Sequence, residues 1–112
     1  MVVAPLVAHP ARFQAGQLLM TAAVSALVAK GTVDPWPYLT RHLHGDWGDI
    51  GPQDARANQA ALRDGNQLFS AYQVAPELRI WIITDWDRSR TTLMLPDDYE
   101  PFSQPHCVAA AG

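Results

Sequence analysis

A chain of 112 residues is one domain by size and can bury enough surface to fold without a metal or disulfide staple. Its net charge of −3 and pI near 5.7 argue against a nucleic-acid binder that relies on bulk positive charge. The single cysteine, Cys107, excludes an internal disulfide and fits a reducing, cytoplasmic home.

The first residues are apolar but lack a basic start, and Pro5 interrupts them, so no secretion signal is expected. The most hydrophobic stretch, 18–29, contains Thr21 and Ser25 and is too short to span a bilayer, so no membrane insertion is expected either. Residues 1–12 read as a flexible segment and 13–99 as a single domain. Residues 17–20 read as a short strand. Thr21 then makes a good N-cap for a helix over 22–30, with Val24, Leu27 and Val28 as its apolar stripe and Gly31 ending it. One helix over 15–30 is the alternative, and Thr21 favours the strand.

Asp34 and Pro35 open a second helix carrying Tyr38, Leu39, Arg41, His42 and Leu43, which stops near Gly45. A polar turn containing Trp47 follows. Pro52 starts a third helix that ends at Gly65 and has only alanines and Leu62 on its apolar side, so a surface position is expected. Residues 67–73 alternate as a strand, with Phe69 and Ala71 on one face and Leu68 and Tyr72 on the other. The stretch 78–95 is strand, polar turn, strand: Leu78, Ile80 and Ile82 point one way and Arg79, Trp81 and Ile83 the other. Helices followed by strands give an α+β domain: two or three helices on a small, mostly antiparallel sheet, a three-strand C-terminal meander plus an N-terminal strand. Residues 100–112, with two prolines and no period, read as a mobile tail. Of the four tryptophans, Trp47 and Trp81 are the expected core anchors, while Trp36 and Trp86 lie beside polar turns.

Three constellations could carry chemistry. His42, His44 and Asp46 form an H-x-H-x-D string of the kind that binds zinc or iron, but residues two apart on a helix diverge. As helix-end residues, the two histidines would instead carry charge favoured by the helix dipole. Asp46, Asp49, Asp85 and Asp87 sit in two turns. They could pair for a cation or acid–base work if 45–49 and 85–89 meet, or bond to turn backbone, with Asp85 in an Asx turn and Asp49 capping the third helix. The two turns are expected to meet, with Arg88 pairing with Asp46 or Asp49 across them; a basic spot of Arg79, Arg88 and Arg90 that binds phosphate is the functional alternative. No glycine-rich phosphate loop is present and no cofactor is implied.

The strings HLHGDWGD, NQAALRDG and WIITDWDRSRTTLMLPDDY, in that order across 13–99, resemble a family of small bacterial proteins carried by plasmids, phages and integrated mobile elements. The family usually has an acidic residue and alanine before Asp-Arg-Ser, where this chain has Asp85-Trp86. The resemblance implies a setting in the conflict between mobile elements and their hosts. It does not imply a methyltransferase subunit, because the glycine-rich cofactor loop and the Asn-Pro-Pro-Tyr string are missing.

Two functions from different classes follow. One is a non-enzymatic interaction protein that modulates a host defence or restriction system. It would bind a protein partner through Trp36, Trp86, Asp87, Arg88, Asp46, Asp49 and an exposed strand edge. The other is a small metal-dependent or phosphate-binding enzyme built on His42, His44, Asp46, Asp49 and Asp85. Kinship with small β-α-α-β-β-β toxins that cut messenger RNA fits the element order but not the acidic charge.

Overall fold

The computed structural model describes residues 11–99. Residues 1–10 and the expected tail, with Phe102 and Cys107, lie outside that range. Arg12, expected in the flexible segment, donates its backbone N–H to Leu43 O at 2.8 Å.

The elements are β1 (Gln17–Met20), α1 (Ala22–Ala29), α2 (Trp36–Leu43), α3 (Pro52–Asp64), β2 (Leu68–Ala75), β3 (Leu78–Thr84), β4 (Arg90–Met94) and a short 3-10 turn (Pro96–Asp98). The strands form one sheet in the order β1-β4-β3-β2. β2, β3 and β4 are the antiparallel meander, and β1 joins parallel to β4. The fold is α+β, and the strand reading of 17–20 holds.

Local chemistry explains most boundaries. Thr21 caps α1 by accepting from Val24 N, and its hydroxyl donates to Asp98 Oδ2 at 2.7 Å, tying the start of α1 to the turn after β4. Gly31 adopts a left-handed φ of 78° just past α1, and Gly65 does the same at the end of α3. Asp34 does not begin α2: the helix starts at Trp36, and Asp34 accepts Trp36 N–H from outside it.

Alternation then sorts the sheet faces. Tyr72, Ile80, Ile82 and Leu93 point toward α1 and pack with Val24 and Val33 as the main core. A second cluster, Trp47, Ala61 and Leu68, seats α3 beside β2. Trp47 is buried as expected. Trp81 is not a core anchor: period 2 sends it to the other face, where it is half-buried against Phe69 and Tyr99. α3 is also less superficial than its alanines suggest, because Asn58 and Ala61 are buried.

Candidate functional site

The H-x-H-x-D string does not converge. His42 faces the sheet and is fully buried, whereas His44 turns back to bond Thr40 O at 2.8 Å. Asp46 forms a two-point pair with Arg41 on the surface, and its carboxyl is held below its usual range by that bond. Among the described residues, no group of three or more His, Cys, Asp or Glu side chains is placed to hold a metal ion.

His42 is the centre of a buried hydrogen-bond chain instead. Its Nδ1 lies 2.6 Å from Ser70 Oγ and its Nε2 2.9 Å from Thr84 Oγ1. Thr84 Oγ1 lies 2.7 Å from Thr91 Oγ1, which donates to Ala15 O at 2.7 Å. Each hydroxyl has one proton, so the last bond fixes the directions back to His42 Nε2, and the neutrality of the buried ring then makes Nδ1 an acceptor. Thr91 gives its proton to Ala15 O, so Thr84 must donate to Thr91. Thr84 therefore accepts from His42 Nε2–H, and Ser70 donates to the bare Nδ1. The ring is neutral, and burial together with the Arg88 charge lowers its pKa to about 3. The expectation of a charged helix-end histidine is overturned because α2 turns this residue inward rather than to solvent.

Ser70, His42 and Thr84 have the connectivity of a nucleophile, a base and an orienting group. They do not form a working triad: all three are fully buried, and a base whose pKa is near 3 gains little by taking a serine proton. Phe13 and Trp47 flank the imidazole edge-on and stack on each other at 6.3 Å, sealing it further. The chain fastens α2 to β2, β3, β4 and the arm before β1.

The two acidic turns take separate partners. Gly48 lies in the left-handed region at φ 75° and bridges to Ala71, where a Cβ would collide with Ala71 O. Its turn thus lies along the outer edge of β2. Asp49 does not cap α3, whose N-cap is Gly51; its carboxylate accepts Gln73 N–H at 3.2 Å. Asp85 pairs with Arg90 at 2.8 Å, and it is Asp87 that makes the Asx-type bond, to Ser89 N at 3.0 Å. The Ser89 side chain, with that backbone bond second, holds Asp87, which is exposed, below its usual pKa.

Arg88 bonds neither Asp46 nor Asp49. Left-handed at φ 61°, it turns its guanidinium onto main-chain carbonyls: Ala61 O at 2.9 Å, Asn66 O at 2.6 Å, and Asp85 O and Trp86 O in its own turn. It thereby closes the C-terminal end of α3, where a cation suits the dipole. Phe13 links the two turns: its ring stacks on Trp47 and lies 5.7 Å from the Arg88 guanidinium carbon. Arg79 bonds Gln73, so the three arginines form no joint phosphate site.

What remains at the surface is aromatic. Trp36 is 62% exposed and Trp86 is 66% exposed. Trp36 stands at a groove of about 230 Å³ whose walls include Leu18, Met20, Pro35 and Leu39. Leu18 itself is exposed. The groove borders the side of β1 away from β4. Gln17 N bonds Ser89 O and Thr21 N bonds Leu93 O, so these residues face β4, and alternation turns the backbone groups of Leu18 and Met20 outward. Among the described residues these groups have no backbone partner. Sequence reading found Trp36 and allowed for an open edge, but pairing of β1 with β4 was needed to put them together.

No family model, curated protein or solved structure matches the chain. No helix among the described residues is long and apolar enough to cross a membrane.

Proposed function

We propose that this domain is a small non-enzymatic interaction protein that binds a protein partner at the groove beside β1. The observation that carries this reading is the joining of three features: an exposed Trp36, an apolar groove, and the outward backbone of Leu18 and Met20. A large aromatic at the rim of a groove is the usual anchor of an interface. Strand groups beside it that are unpaired among the described residues offer main-chain hydrogen bonds to an extended segment. Sheets normally blunt such an edge with charge, proline or a bulge, and Gln17, Leu18, Leu19 and Met20 supply none of these. The polar residues considered for catalysis are instead occupied in holding the fold, which favours binding over chemistry. The resemblance to mobile-element proteins supplies the setting: a partner from a host defence or restriction system, in the cytoplasm.

The test is affinity capture from a bacterial host, followed by reconstitution with the purified partner. Wild type should form a defined complex, and the double variant Leu18→Asp, Trp36→Ala should lose it while keeping its circular dichroism and melting temperature. A complex unaffected by the double change would contradict the reading. So would a metal-dependent turnover that disappears in Asp49→Ala.

A further inference from the structure

The sheet face away from α1 carries a second feature, separate from the groove. Phe69 and Trp81 meet at 5.1 Å with their rings at 88°, and Trp81 and Tyr99 meet at 5.9 Å and 62°. These three rings line a cavity of about 300 Å³ whose α3 side is formed by Asp54 and Asn58. Asn58 is not available to a ligand. Its amide donates to Phe69 O at 2.7 Å and accepts from Phe69 N at 3.1 Å, which fixes this wall against β2. Among the described residues, Asp54 is the one charged side chain in the lining. It takes part in none of the hydrogen bonds or ion pairs among the described residues, and it stands in the first turn of α3, where the dipole favours its carboxylate.

Ring faces and a lone carboxylate select a ligand by its hydration. A divalent cation needs several oxygen ligands, and among the described residues one carboxylate lines the cavity. A primary ammonium is a compact, strongly hydrated charge that gives up water reluctantly. A methylated ammonium spreads its charge over methyl groups, loses little on leaving water, and is attracted to aromatic faces. An uncharged apolar group would gain nothing from Asp54. We propose that this cavity binds a methylated ammonium group, carried either by a small choline-type molecule or by a methylated lysine of a protein. The proposal does not rest on the groove beside β1.

The experiment titrates the full chain with choline, a trimethyllysine peptide, the unmethylated peptide, and the neutral isostere of choline in which carbon replaces nitrogen. The Trp81 indole N–H is followed by NMR. One or both methylated cations should shift it saturably, and should bind about tenfold more tightly than the isostere or the unmethylated peptide. Response to choline alone assigns a small-molecule source, and response to the peptide alone assigns a protein source. Asp54→Asn should weaken binding several-fold. Tyr99→Ala, a change at an exposed ring, should weaken it about tenfold with unaltered circular dichroism. The proposal is overturned if neither cation saturates, if the isostere binds as well as choline, or if both variants bind like wild type.

Discussion

The two edges of the sheet are built on opposite principles. Along β2 three successive outward amides are satisfied from within the chain: Phe69 by the Asn58 side chain, Ala71 by Trp47 O, and Gln73 by the Asp49 carboxylate. Three different devices, a helix side chain, a loop backbone and a turn carboxylate, close one edge. His42 anchors the helix that leads into that loop. Along β1 the outward backbone groups of Leu18 and Met20 have no backbone partner among the described residues. An uncovered edge is a hazard that sheets usually suppress. The contrast sets the β2 side apart as the stabilising edge and is what the proposed recognition role of the β1 side rests on.

The largest effect should come from the β2 side. His42→Ala removes a fully buried ring, takes the acceptor from the Ser70 hydroxyl and the His42 donor from Thr84, so a loss of roughly 3–5 kcal/mol in chemical denaturation is expected. A loss below about 1 kcal/mol would mean that the chain does not hold α2.

The same residue sets an acid response. The folded pKa of about 3 lies below the ordinary value of 6.5, so below pH 6.5 the unfolded chain binds a proton that the folded chain refuses. The His42 contribution is complete above pH 6.5. It declines as pH falls, by up to about 1.4 kcal/mol per unit, until the folded ring protonates near pH 3. Denaturation curves recorded between pH 7 and pH 4 should show this slope in wild type and lose it in a folded His42→Gln variant. An equal slope in both would assign the acid response to other groups.

Asn58→Ala should cost about 2–3 kcal/mol, because it leaves the Phe69 N–H and C=O without partners at a buried edge. A cost under about 0.5 kcal/mol would show that water replaces the amide freely. The smallest effects belong to the other side: Leu18→Ser and Trp36→Ala should each stay within about 0.5 kcal/mol of wild type. A larger loss would make the groove part of the core rather than a recognition surface.

What was legible in the sequence was what is local. Thr21 and Gly31 bound α1, Pro52 and Gly65 bound α3, and period 2 sorted the hairpin faces, because caps and alternation act over a few residues. Side-chain destinations were less legible. Composition suggests a carboxylate for Arg88, because opposite charge is the expected partner; the fold offers it the carbonyl end of α3. Asp49 looked like a helix cap by spacing, yet the turn at Gly48 carries it to β2. The His42 chain gave no local signal, since Ser70, Thr84 and Thr91 lie 28 to 49 positions away and only the folded sheet aligns them. Trp81 was misplaced for another reason. Hydrophobicity marks a ring for burial but does not say which face of a sheet the helices will cover.

Native-state amide exchange tests the contrast between the edges most directly. In the isolated chain, the Phe69, Ala71 and Gln73 amides should exchange slowly, near the rate set by global unfolding, and the Leu18 and Met20 amides should exchange fast. Slow exchange at Leu18 and Met20, equal to that at Phe69 and Ala71, would show a covered edge and contradict the assignment of β1 to recognition.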